Sequence, residues 1–240
     1  MSSGPHENET EQKVPVTLSS CIGNDIVDIS LSENLKKSAN LKLTQRVLSA
    51  TEQVVLLSAE HKELTFLSMW AAKESAYKLL KKVYPDLLFS PSRFEVSGAE
   101  GLQRNQKTQG HVNYASDIQL GIDWEISEHW IHCVALAQNN PPRFTKMIEP
   151  ISDDLIKGEF CPEELVSIYS DQSKAVRNLA KRLLRKHNIN NARIIRHKEQ
   201  RRYSPPLIYV NNKLIKNFDL SLSHDGKFMA AVLASESEAQ

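Results

Sequence analysis

Apolar and small side chains recur at helical spacing through "MWAAKESAYKLLKK", residues 69–82. Leu67, Trp70, Ala71, Glu74 and Lys78 fall at i, i+3, i+4, i+7 and i+11, on one stripe of a helix. A stripe of that kind faces a neighbouring element, and here it carries a carboxylate and an ammonium. Upstream, "VTLSSCIGNDIVDIS" has the Val/Ile content and alternation of a strand, with Cys21, Gly23, Asp25, Val27 and Ile29 on one side. "LTQRVLSATEQVVLL" between the two predicts helix. "FSPSRFEVSG" predicts a strand entered through a proline turn, and "GHVNYASDIQLGIDWEISEHWIHCVALAQ" two or three antiparallel strands. "QNNPPRFTK" breaks both patterns and is the linker candidate.

Beyond the linker the order of elements recurs. "CPEELVSIYSDQSKAVRNLAKRLLRKH" predicts helix, "ARIIRHK" and "PPLIYVN" predict strands, and "FDLSLSHDGKFMAAVLA" predicts a closing hairpin. "AYKLLKK" (76–82) is similar to "AKRLLRK" (180–186), and "DWEISEHWIHCVALA" to "DLSLSHDGKFMAAVLA" with one residue inserted. The expectation is an α+β protein of two pseudo-symmetric halves, each a long helix packed on a small antiparallel sheet. In that expectation residues 1–14 are a flexible tail, 15–140 the first half and 141–240 the second. Glu74 lies in the first half with no acid at the matching place in the second, whereas "SLSHDG" belongs to the second alone. Two such halves would complete one site in the cleft between them.

Composition narrows the class. The chain has 240 residues, 40% hydrophobic and 25% charged, ordinary for a soluble globular protein. Cys21, Cys133 and Cys161 are odd in number, scattered and without a CxxC, so neither a disulfide framework nor a zinc site is expected, and a cytoplasmic location fits. The opening "MSSGPHENETEQKVP" is polar and acidic, without the apolar core expected of a signal peptide, and no apolar run is long enough to span a membrane. Net charge is +1, yet eleven Lys/Arg stand against one acid, Glu199, between Lys174 and Arg202. That block suits a polyanionic partner such as a phosphorylated small molecule, nucleic acid or anionic surface; the alternative is a solvated helix face.

Three places carry candidate chemistry. Asp25 sits on an apolar strand face, where an ionised carboxylate is costly unless a cation or donors satisfy it, and Gly23 beside it would leave room for a ligand. Glu74 poses the same problem from the helix. Two inward carboxylates from different elements suit Mg²⁺, which takes hard oxygens, one or two of them carboxylates. The alternatives are a turn aspartate and an exposed Glu74–Lys78 pair worth a few tenths of a kcal/mol. "SLSHDG" sets Ser223 and His224 beside an Asp225-Gly226 turn; without a Gly-x-Ser-x-Gly elbow it fits phosphate binding better than hydrolysis.

Together "IGNDIVDIS", "RVLSATE", "MWAAKESAYKLLKK" and "DLSLSHDGKFMAAVLA" resemble the 4′-phosphopantetheinyl transferase superfamily, in the motif order of its holo-acyl-carrier-protein synthase branch. The second half also resembles the first half of the larger surfactin-type monomeric enzymes, with the halves in swapped order. The resemblance implies Asp25 and Glu74 as Mg²⁺ ligands, with Glu74 also the base toward the acceptor serine. It implies Lys78 at the reacting phosphates, Ser223 and His224 on the phosphates of coenzyme A, and Arg177 near its 3′-phosphate. Lys73 accompanies Glu74 in the motif but points elsewhere, one residue round the helix. Two departures stand out: the surfactin-type second acid is Val27, and the family's G-K-P is Ser204-Pro205-Pro206, leaving Arg201 or Arg202 to replace its lysine.

The activity implied is Mg²⁺-dependent transfer of 4′-phosphopantetheine from coenzyme A to a serine of an apo acyl or peptidyl carrier protein, releasing adenosine 3′,5′-bisphosphate. A monomer containing both halves would suffice, without membrane or nucleic-acid partners. The rivals are a non-catalytic relative that binds coenzyme A or a carrier, a nucleic-acid-binding protein using residues 174–202, and a purely structural pair of domains. The carrier and its pathway, fatty-acid, polyketide or nonribosomal-peptide, have no mark in the chain.

Overall fold

The computed structural model describes residues 18–115, 117–199 and 202–235, with the backbone alone at 199 and 202. The expected tail over 1–14 and Arg201 lie outside the described residues. Strand β1 (Ile22–Asp28) leads through three short helices, α1 (Ser32–Leu35), α2 (Leu41–Val47) and α3 (Ala50–Ser58), into the 22-residue α4 (Lys62–Val83). The single helical stretch expected from "LTQRVLSATEQVVLL" is two helices, because Ser49 caps α3 and Glu52 returns the bond in a capping box. Strands β2 (Phe94–Ser97), β3 (Gln106–Tyr114), β4 (Ile118–Ile126) and β5 (Trp130–Ala137) then form with β1 an antiparallel sheet of order β1-β5-β4-β3-β2. Helix α4 lies across β1 and β5. Its small residues Ala71, Ala72, Ser75 and Ala76 are buried and let the backbones approach closely.

The linker is shorter than expected. Only 138–142 connect, and Arg143 starts β6 (Arg143–Pro150), an edge strand with one polar face, which blunts its apolar signal. Helices α5 (Asp153–Ile156), α6 (Pro162–Leu165) and α7 (Asp171–Lys186) follow, the last capped by Ser170, so the second predicted helix is also interrupted. Short strands β7 (Arg193–Ile195), β8 (Lys198–Glu199), β9 (Arg202–Tyr203), β10 (Leu207–Val210) and β11 (Lys213–Leu214) form two small ladders, β11-β10-β7 and β8-β9. The hairpin of β12 (Phe218–Asp225) and β13 (Phe228–Ser235) joins β6 in the order β12-β13-β6. Helix α7 packs on β13 and β12. The description is α+β with antiparallel sheets throughout.

The two larger sheets meet face to face. Ile22, Val134 and Leu136 pack on Val232 and Ala234, and Ile26 on Phe228 and Ala230. Strands β5 and β13 are therefore covered on both faces, which is why "WIHCVALA" and "FMAAVLAS" are near-continuous apolar runs instead of alternating ones. The free edge of β1 is closed by side chains of β12. Ile22 N–H donates to Asp219 (2.7 Å), Asn24 N–H to Ser221 Oγ (2.9 Å) and Asp28 N–H to Asp225 (2.9 Å). Asp219, Ser221 and Asp225 share one face of β12 by its two-residue period, so one strand of side chains satisfies the edge donors of another.

A buried clamp occurs twice. Glu52 accepts from Ser49 N–H (2.6 Å), Val96 N–H (2.7 Å) and Lys73 Nζ (2.7 Å). Glu164 accepts from Cys161 N–H (3.2 Å), Ile194 N–H (2.9 Å) and Lys181 Nζ (2.9 Å). Each is the third residue of a capping box, holding a lysine of the following long helix and the first strand after it. Lys73 is fully buried and also donates to the carbonyls of Pro91 and Phe94, so it does point away from Glu74.

Candidate active site

Asp25 projects from β1 toward α4, and the stripe of α4 brings Glu74 and Lys78 to meet it. Lys78 Nζ donates to Asp25 Oδ1 (2.8 Å) and to the carbonyl of Asn24 (3.0 Å). The pair is reachable from solvent: the Asp25 side chain is 13% exposed and Lys78 30%. Gly23 does not leave room for a ligand, as expected above. A Cβ there would lie 1.9 Å from the Ser75 carbonyl oxygen and 2.8 Å from Leu79 N, so the glycine lets β1 press on α4 and sets the depth of Asp25.

Electrostatically the cluster is short of positive charge. Burial and the Asp25 charge push the Glu74 carboxyl up to about 7, against the pull of Lys78. Burial also raises Asp25, with Lys78 opposing and Asp225 adding to the rise. One ammonium thus serves two partly buried carboxylates. Such a donor set fits a hard divalent cation, which is content with two protein carboxylates when ligand oxygens and water complete its shell. No group of three or more His, Cys, Asp or Glu placed to hold a metal occurs among the described residues, so Asp25 and Glu74 alone would be the protein's share.

The hairpin supplies the other side. His224 is half-buried, and its imidazole is lowered first by burial, then by the charges of Lys78 and Arg177, with Asp225 opposing. It therefore shares a field with the α4 cluster and with α7. Ser223, one position earlier, turns the opposite way into the seam beside β1, where its Oγ accepts from Asn24 Nδ2 at 2.9 Å. The sequence set Ser223 and His224 together on the phosphates; they face different sides of β12.

Arg177 is 3% exposed, and its terminal nitrogens donate to the Ser173 carbonyl (3.0 Å), the Ser167 carbonyl (3.1 Å) and Ser167 Oγ (2.7 Å). Its Nε is buried without a partner. Beyond burial, the neighbouring charge of Arg196 lowers it further. Arg196 is the residue that sequence reading missed. It is half-buried, donates Nε to the Ser204 carbonyl (2.7 Å) and stacks on Tyr203. The two guanidiniums thus feel one another's charge, which Glu164 and Tyr169 offset in part at Arg177. The signal was present in "RIIRHK", a strand with an arginine where its apolar run stops. The backbone of Arg202 pairs with Glu199 in the β8–β9 ladder; its side chain lies outside the described residues.

Part of the basic block is engaged within the protein. Lys174, Lys181, Arg182 and Arg193 pair with Asp171, Glu164, Glu149 and Glu163, and Arg177 is buried.

Asp25, Glu74 and Lys78 from one layer and His224 from the other thus stand in one electrostatic field, which the charge of Arg177 also reaches. Residues 21–134 match the family model of the 4′-phosphopantetheinyl transferase superfamily. The matched segment carries Asp25, Glu74 and Lys78, and the match supports phosphopantetheinyl transfer in general terms. No curated protein matches the chain. No helix among the described residues is long and apolar enough to cross a membrane.

Proposed function

We propose that the protein transfers 4′-phosphopantetheine from coenzyme A to a serine hydroxyl of an apo acyl or peptidyl carrier protein, as holo-acyl-carrier-protein synthases do, and releases adenosine 3′,5′-bisphosphate. The observation that carries the reading is the Asp25–Glu74–Lys78 cluster facing the hairpin that bears His224. In the reaction the serine oxygen bonds to the β-phosphorus, the bond from that phosphorus to the bridging oxygen breaks, and the serine proton leaves. Glu74, with a proton affinity near neutrality, receives that proton. Lys78 neutralises the oxygens of the leaving phosphate at the point where charge gathers. Arg196 holds the 3′-phosphate, with the buried charge of Arg177 behind it, and His224 donates to the phosphates between. Bound by Asp25 and Glu74, Mg²⁺ would supply Lewis-acid neutralisation of the pyrophosphate.

One chain then holds one site because its two halves have diverged. Support comes from the strand orders β1-β5-β4 and β6-β13-β12, each followed by a helix on the same strands, and from the twin clamps of Glu52 and Glu164. Those clamps align Lys73 with Lys181, one helical turn away from the pairing of "AYKLLKK" with "AKRLLRK". Glu74 then corresponds to Arg182, whose guanidinium lies 3.5 Å from Glu149 on β6. Where the first half sets two carboxylates together, the second sets an internal ion pair. Such a pseudo-dimer works as a monomer, and its three unpaired thiols suit the reducing cytoplasm.

Calorimetric titration with coenzyme A tests the reading. Wild type should bind it more tightly with Mg²⁺ than with chelator, and Glu74→Gln should lose that increment. Equal binding with and without Mg²⁺ would favour a non-catalytic coenzyme A binder.

A further inference from the structure

Asn24 is fully buried in the seam, and its bonded polar groups reach β12, α4 and β5. Its N–H donates to Ser221 Oγ (2.9 Å), its carbonyl accepts from Lys78 (3.0 Å), and its Nδ2 meets Ser223 Oγ (2.9 Å) and His132 Nε2 (3.2 Å). Lys78 belongs to the acid–base cluster and Ser223 to the hairpin, so Asn24 is the one residue among these contacts that bonds to both. Yet its Oδ1 and the Nδ1 of the fully buried His132 have no partner. Turning the amide over changes which amide atom is orphaned, not that one is. A buried polar group left unpaired costs stability that two apolar side chains of the same shape would not. Packing alone therefore gives no reason for Asn24 and His132, and such a conflict with core rules beside charged groups is characteristic of function.

We propose that Asn24 is a positioning residue that ties the phosphate-binding hairpin to the Asp25–Lys78 side of the cleft. By donating to Ser223 Oγ in the buried seam, it fixes the strand that carries His224 on its opposite face. His132, on β5, holds the amide from behind, and neutral imidazole is the form its surroundings favour, burial and the charges of Lys146 and Lys78 all opposing protonation. Replacing the side chain leaves the carbonyl contact to Lys78 intact, so loss of the Asn24–Ser223 bond acts on coenzyme A binding through the placement of the hairpin and its His224, and much less on the chemical step.

This inference rests on the coenzyme A reading above, and a double-mutant cycle with Ser223 separates the two. Asn24→Ala and Ser223→Ala should each weaken coenzyme A binding about 10-fold by calorimetry, and the double variant no more than about 10-fold, because both remove one contact. In steady-state transfer the loss should fall on KM for coenzyme A, with kcat changed less than about twofold, a split that general destabilisation does not produce. If Asn24→Ala does not fold, Asn24→Ser, too short to reach Ser223, reads the same cycle. Losses that multiply to about 100-fold, or an Asn24 variant with wild-type affinity, would overturn the positioning role while leaving the transferase reading in place. Wild-type protein that binds no coenzyme A would overturn both.

Discussion

Glu74→Gln should make the metal-free protein more stable at alkaline pH while removing its activity. The wild-type carboxyl stays protonated in the folded state up to about pH 7, whereas in the unfolded chain it ionises near 4.5. Between those values the folded state binds more protons than the unfolded one, so stability falls as pH rises, and the whole penalty is present above pH 7. At 1.36 kcal/mol per pH unit, that span corresponds to about 3 kcal/mol, and to about 2 kcal/mol once partial contact of the carboxylate with water is allowed for. Glutamine has the same shape and never ionises. Urea unfolding in chelator at pH 5 and pH 8 reads the effect. The two proteins should differ by less than about 1 kcal/mol at pH 5, with the variant ahead by about 2 kcal/mol at pH 8. Adding Mg²⁺ at pH 8 should raise the wild type and leave the variant unmoved. Parallel pH profiles, or a variant less stable than wild type at pH 8, would show that Glu74 is not held among uncompensated negative charge.

Three other outcomes follow from the geometry. Lys73→Met strips Glu52 of its ammonium in a fully buried setting and should cost about 3 kcal/mol in urea, with transfer per folded molecule retained; a loss below about 1 kcal/mol would remove the clamp from the fold's framework. Gly23→Ala drives a methyl into the Ser75 carbonyl and should lower stability by about 3 kcal/mol or more, whereas wild-type melting would show that β1 can lift from α4 without penalty. Arg196→Ala should weaken coenzyme A about 10-fold and leave its 3′-dephospho form unaffected; equal losses for both would move Arg196 away from the 3′-phosphate.

What the sequence made legible was local. Helical spacing put Glu74 and Lys78 on one stripe, and strand alternation put Asp25 on the matching face, because each signal lies within one element. The hairpin with His224 was readable for the same reason. What bonds the seam was not, since Asn24 and Ser223 are 199 residues apart and Ile22 and Asp219 are 197 apart. Periodicity can show that Asn24 interrupts an apolar face shared with Ile22 and Ile26, but not which strand answers it. Gly23 was misread because an absent side chain looks the same whether a ligand or a helix takes its place. Arg196 escaped notice because its importance comes from Arg177, brought near by packing alone. Strand β6 was hidden by two prolines at its entrance and by an exposed polar face.

The most direct test of the account is the mass of a carrier. Apo carrier proteins incubated with the protein, coenzyme A and Mg²⁺ should gain one phosphopantetheine on a serine, with adenosine 3′,5′-bisphosphate as the second product, and Asp25→Asn or Glu74→Gln should produce no gain. Unchanged carriers across acyl and peptidyl types, or full transfer by the Glu74→Gln variant, would contradict it.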